Sequence, residues 1–193
     1  MGMRGDVYAV TVGADADFYV ESATPAGAGA LTLANTTPGL NGIGYQVTVT
    51  CAGNDAGRTF TVVGLGMDGT TLTEAISGAD AGATTGSSYF AQITSISVDA
   101  ATDGAVTIGY GGNLALPKTR VKYVYFVASG TAGTVTLTRN SDSAVILSVP
   151  TPATNNATDG ILMPGDGIST AYIPTDYSVV TLTDVTATTL ICG

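Results

Sequence analysis

The sequence predicts an all-β protein: two antiparallel β-sandwich-like units in tandem, preceded by a loosely structured N-terminal arm. Three observations carry that expectation. Apolar and polar residues alternate with period two over most of the chain, the pattern of half-buried strands. Gly fills 26 of 193 positions, and turn signals, Asp-Gly pairs among them, recur about every ten residues. Thr and Val recur throughout while straight-chain helix formers are scarce.

In chain order, residues 1–40 come first. Residues 7–12, 18–20 and 31–33 have the texture of short strands. Residues 25–29 and 37–39 are small and aperiodic, which fits an extended arm ordered by a neighbouring subunit.

The first β unit spans 41–117. Tyr45, Val47, Val49 and Cys51 share one face of a strand, with Gln46, Thr48 and Thr50 on the other. Strands follow at 60–62, 70–76, 89–98 and 105–110. Asp68-Gly69 and Asp103-Gly104 supply turns, because Gly accepts the positive φ that tight hairpins require. Residues 111–117 break the alternation and read as a linker.

The second β unit spans 118–193. Residues 121–127 form a continuous apolar run, as in a strand covered on both faces. Val135 and Leu137 alternate with threonines, and Val145, Leu147 and Val149 repeat the pattern up to Pro150. Pro164-Gly165-Asp166-Gly167 marks a turn, and strands at 172–173, 179–183 and 188–192 complete the unit. About 75 residues make a marginal core alone, so this unit is expected to pack on the first unit, a sister subunit or a larger assembly.

Composition narrows the chemistry. The chain has no His, so imidazole acid–base catalysis, His-dependent triads and His metal sites are closed to it. Six Lys and Arg face fifteen Asp and Glu, a net charge of -9, which opposes binding to nucleic acid or anionic membrane. The mean hydropathy of +0.34 is spread evenly, without the roughly 18 consecutive apolar residues of a spanning helix. No apolar leader marks export, so synthesis in the cytoplasm is expected. Cys51 and Cys192 read as small buried apolar residues rather than a disulfide.

Several motifs have plainer readings. Gly64-x-Gly66-x-x-Gly69 has the spacing of a dinucleotide loop but runs into a Thr-rich strand where a helix is required, so a hairpin is expected. Arg4-Gly5-Asp6 and the sequons at Asn35 and Asn156 read as chance matches in loops. Asp15, Asp17 and Glu21 lack the ordered ligand spacing of a calcium loop. The two Glu, Glu21 and Glu74, lie outside any aromatic cleft pattern that would suit glycosidase chemistry. The expectation is no catalytic residue, no metal and no cofactor: a non-enzyme. Thr-x-Thr pairs lack the fixed repeat of a solenoid.

Charge is uneven along the chain. Residues 1–117 carry two cations against ten acids, and residues 118–193 four against five. Lys118, Arg120 and Lys122 alternate, so on a strand they share one face. They are the candidate interface: either they blunt an edge strand or they dock on an acidic partner such as a sister subunit.

The stretch 47–74, from Val47-Thr-Val-Thr-Cys through Gly64-Leu-Gly-Met-Asp-Gly to Glu74, together with Tyr89-Phe-Ala-Gln-Ile-Thr-Ser-Ile-Ser-Val, resembles small structural proteins of tailed bacteriophages. Residues 133–193 are similar to a second β module of phage virion proteins. The resemblance spans about 45–190 and rests on strand texture and turn residues. It implies a virion component on the capsid surface, a decoration (cement) protein, with the major capsid protein and further copies of itself, as a homotrimer, for partners. A phage tail, neck or head-fibre component would share these modules. A carbohydrate- or receptor-binding β module is the other alternative, with Tyr172 and Tyr177 as its surface aromatics.

Overall fold

The computed structural model describes residues 8–38, 42–116, 120–128, 131–153, 158–162, 168–169, 178–183 and 185–192. Among these the regular structure is entirely β, as the alternation predicted. The strands are β1 (Tyr8–Val12), β2 (Asp15–Ala23), β3 (Gly29–Ala30), β4 (Gly44–Cys51), β5 (Thr59–Leu65), β6 (Thr71–Ser77), β7 (Ala83–Phe90) and β8 (Gln92–Val98). There follow β9 (Val106–Leu116), β10 (Arg120–Ala128), β11 (Gly133–Arg139), β12 (Val145–Thr151), β13 (Thr158–Leu162), β14 (Ile168–Ser169), β15 (Ser178–Thr183) and β16 (Val185–Cys192).

The chain forms two compact units, but not the expected pair. A central unit comprises Ala14–Gly111, and a terminal unit combines Met1–Gly13 with Gly112–Gly193. The expected division at 41–117 and 118–193 therefore shifts. Residues 111–117 are not a linker over their described part: β9 runs unbroken from Val106 to Leu116, and Leu114, Ala115 and Leu116 are buried. Two adjacent glycines look like a break in the sequence, yet strand pairing on either side of them outweighs their low β propensity.

Nor are residues 1–40 a loose arm over their described part. Strand β1 pairs antiparallel with β16, Tyr8 opposite Cys192 and Val12 opposite Thr188. Strand β2 pairs with β9 and places Tyr19 and Val20 in the central core. Burying two such side chains contributes roughly 1.5–3 kcal/mol each, so this segment holds its unit together.

The central unit is a sandwich. One sheet runs β2-β9-β4-β7 and the other β3-β8-β5-β6. Inward residues of both interdigitate in one core that includes Val47, Val49, Phe60, Val62, Phe90, Ile93, Ile96 and Ile108. The face predicted from alternation, Tyr45, Val47, Val49 and Cys51, is buried throughout. Asp68-Gly69 turns β5 into β6: Gly69 sits at φ 78 and donates to the Gly66 carbonyl, while Asp68 Oδ1 accepts from the Thr70 N–H and hydroxyl.

In the terminal unit one sheet runs β1-β16-β10-β13, with β14 also on β10, and a second set of strands runs β12-β11-β15 beside the end of β9. Val135, Leu137, Val149 and Val180 are buried with the last residues of β9. The β11–β12 hairpin is closed by an Arg139–Asp142 ion pair at 2.9 Å. Pro150 lies on the outermost strand in the sheet order, where its missing N–H is tolerated.

Candidate functional site

The residues singled out from sequence fall in different places. Lys118 lies outside the described residues, as do Tyr172 and Tyr177. Arg120 and Lys122 lie on β10, with Lys122 at a register shift against β16 between Val121 and Tyr123. Because β10 is paired with β16 on one side and with β13 and β14 on the other, it is an interior strand. Arg120 and Lys122 therefore do not stand on an edge strand.

Asp15, Asp17 and Glu21 lie along β2. Asp15 Oδ1 accepts the Asp17 N–H at 3.4 Å. A hydrogen bond shared with the Asp15 carboxyl raises the Asp17 carboxyl above the usual range. Among the described residues no three His, Cys, Asp or Glu side chains gather as a metal-ion group. The Gly64–Gly69 spacing is the expected β5–β6 hairpin rather than a dinucleotide loop.

What the geometry brings forward is how the two open sides of the central sandwich are shut. On one side, residues 29–36 form a strap. Gly29 and Ala30 pair with Val98 and Ser97 of β8. The Leu31 N–H then bonds to Ile96, the Ala34 N–H crosses to the Tyr19 carbonyl at 2.8 Å, and the Thr36 carbonyl accepts from Ile93. Asn35 Nδ2 donates to the Phe18 carbonyl at 3.1 Å. The strap links an edge of each sheet, and Leu31 and Leu33 pack on the core beneath it.

The other side, between β6 and β7, is bridged by the Glu74 carboxylate. In the β4–β7 ladder Gln46 faces Tyr89 and Thr48 faces Thr85, so Gly86, Ser87 and Ser88 bulge opposite Val47 alone. A bulge frees backbone donors. Glu74 of β6 takes them: Oε1 accepts the Ser87 N–H at 2.6 Å, the Ser87 hydroxyl at 2.9 Å and the Ser88 N–H at 3.2 Å, and Oε2 lies 3.3 Å from the Ser88 N–H. A Cβ at residue 86 would meet this carboxylate and push the Glu74 side chain aside, so Gly leaves it room to reach the bulge.

Beside the strap, four aromatic rings cluster. Phe18 packs edge-on against Tyr19 and Tyr110, both at 5.2 Å between centroids, and Tyr45 lies 4.9 Å from Tyr110. The Tyr19 hydroxyl is buried without a hydrogen-bond partner. Burial raises all three tyrosines, with neighbouring charge adding to it: Tyr45 is pushed up to about 12, Tyr19 goes higher still, and Tyr110 also feels Asp15.

At the β4 end of the core, Asp55 is 0% exposed and its Oδ1 accepts the Asp103 N–H at 2.7 Å. Burial pushes the nearby Cys51 thiol up, and the Asp55 carboxylate adds to that rise. Cys51 is a buried free thiol, as its strand position predicted. Sequence reasoning passed over Asp55 and weighed Glu74 only as a catalytic acid. For Glu74 a signal existed: it stands in the core-facing phase of β6, between Leu72 and Ile76. A charge in that phase is one way a strand edge is protected.

No protein-family model, curated protein or solved structure matches this chain.

Proposed function

We propose that the chain is a non-enzymatic structural protein of a tailed-bacteriophage virion, bound to the capsid exterior and stabilising the shell. The observation that supports this reading is that the stretches resembling phage structural proteins, 47–74 and 89–98, fall on β4, β5, β6, the end of β7 and β8 of one sandwich with a shared core. A ligand that binds only the assembled shell stabilises it by mass action, and repetition of weak contacts over a symmetric lattice supplies avidity. The acidic surface of a chain with net charge -9 keeps decorated particles apart.

The test is co-sedimentation of the purified protein with expanded, undecorated heads of the phage that encodes it, together with its mass by light scattering. Saturable binding at hundreds of copies per head, with a trimeric mass, is the expected result. A handful of copies, or a ring confined to one vertex, would transfer the protein to the neck or tail. No binding to heads or tails, with specific retention on a glycan surface instead, would overturn the virion reading.

A further inference from the structure

We infer that the Gly86–Ser88 bulge is a carboxylate-binding site whose resident ligand is Glu74, and that this internal ligand holds the β7 edge shut against strand addition. Two backbone N–H groups and one hydroxyl converge on a single carboxylate, and charge-assisted bonds of this kind are the strong ones. The absence of a side chain at Gly86 makes room for the approach. All three donors meet on Oε1 and the Ser88 N–H is shared with Oε2, so the ligand class is a carboxylate.

The position explains the guard. Strand β7 ends one sheet of the central unit and β6 ends the other. An outer strand with free donors is a template for another chain. Glu74 is part of the core-side pattern of β6, yet its carboxylate spans to the bulge of β7, so one side chain covers the donors that an incoming strand would use. Ser87 is exposed, so the donors are open to solvent once the carboxylate leaves. The inference stands independently of the virion reading.

The test uses the full chain carrying Glu74→Ala, with amide exchange at Ser87 and Ser88 and solution mass as readouts. The expected result is exchange at both amides at least tenfold faster than in wild type. Acetate should restore protection saturably, while chloride at equal ionic strength should not. Acetate should have no such effect on wild type, and a reduced one on the Glu74→Ala/Ser87→Ala double variant. The variant should also self-associate at concentrations where wild type keeps its mass, and acetate should reverse this. Wild-type exchange rates in Glu74→Ala, or acetate acting no differently from chloride, would overturn the binding site. Unchanged mass would overturn the guard. If Glu74→Ala fails to fold, Gly86→Ala keeps the carboxylate but expels it from the bulge. Faster exchange at Ser87 and Ser88 is then expected, and wild-type rates would refute the site.

Discussion

Asp55 reaches across the end of the central sandwich to Asp103, 48 positions later, and its Oδ1 accepts that residue's backbone N–H at 2.7 Å. The bond ties the loop after β4 to the turn before β9. Arg58 reinforces the same junction, donating from Nε to the Ala101 carbonyl at 2.6 Å. The junction thus rests on a side chain that is itself fully buried, where a buried polar group needs its hydrogen bond. Asp55→Ala is therefore expected to cost about 1.5–3 kcal/mol, the range for a hydrogen bond to a charged group, measured by urea unfolding of the central unit. Asp55→Asn keeps an oxygen for the Asp103 N–H and should recover most of the loss. An Asn variant as weak as Ala would show that the charge, not the hydrogen bond, holds the junction.

Tyr19 leads to the opposite expectation. Its ring is 0% exposed and its hydroxyl is buried without a partner. Tyr19→Phe keeps the packing against Phe18 and Tyr110 and removes a polar atom whose desolvation is not repaid. Stability should stay level or rise by about 1 kcal/mol. A loss of similar size on thermal or urea unfolding would mean that the hydroxyl has a bonding partner.

These two residues also show where the sequence is informative and where it is not. The face of Tyr45, Val47, Val49 and Cys51 is legible because β4 keeps period two along its length. The hairpin at Asp68-Gly69 is legible because a positive φ selects for Gly. Strand β2 is legible only as the short run 18–20, for a physical reason: register shifts between Asp15 and Val20, and again before Ala23, bury the adjacent Tyr19 and Val20 together and break the alternation. The β1–β16 pairing joins residues at opposite ends of the chain, which local pattern does not encode. Glu74 was visible only as a charge in the apolar phase of β6. The alternation of Arg120 and Lys122 predicted a shared face but said nothing of which strands flank it, and β10 has neighbours on both sides.

The tyrosine cluster sets an alkaline limit. Burial, with Tyr110 adjacent, pushes Tyr45 up to about 12 from an unfolded value of 10.0. Because the folded chain holds this proton more tightly than the unfolded chain, the associated stability is intact below pH 10 and is lost as pH rises from about 10 to 12. Tyr19 and Tyr110 shift in the same direction. Tyrosinate absorbance should therefore appear in two stages, exposed rings first, with the second stage coinciding with loss of β-sheet circular dichroism. Tyr45→Phe should move that second stage to higher pH. A single titration near the ordinary value with the fold intact would contradict the buried cluster.

Two truncations separate the roles of the N-terminal residues. Removing residues 1–13 takes away β1, which pairs with β16 at the margin of its sheet, and leaves Ala14–Gly111 complete. Amide protection of Val47, Phe60 and Ile96 should persist in this variant, while protection in β16 falls because half its hydrogen-bonding partners are gone. Removing residues 1–36 also removes β2 and the strap. It takes Tyr19 and Val20 out of the core, along with Leu31 and Leu33 packed against it, and strips the Ala34 and Thr36 bonds that link the two sheets. Losing four apolar side chains at roughly 1.5–3 kcal/mol for each that is fully buried approaches the whole stability of a domain of this size. The longer truncation should therefore unfold the central unit, with rapid proteolysis of β4 through β8. Equal protection of that core in both variants would mean that the first forty residues act as an independent arm after all.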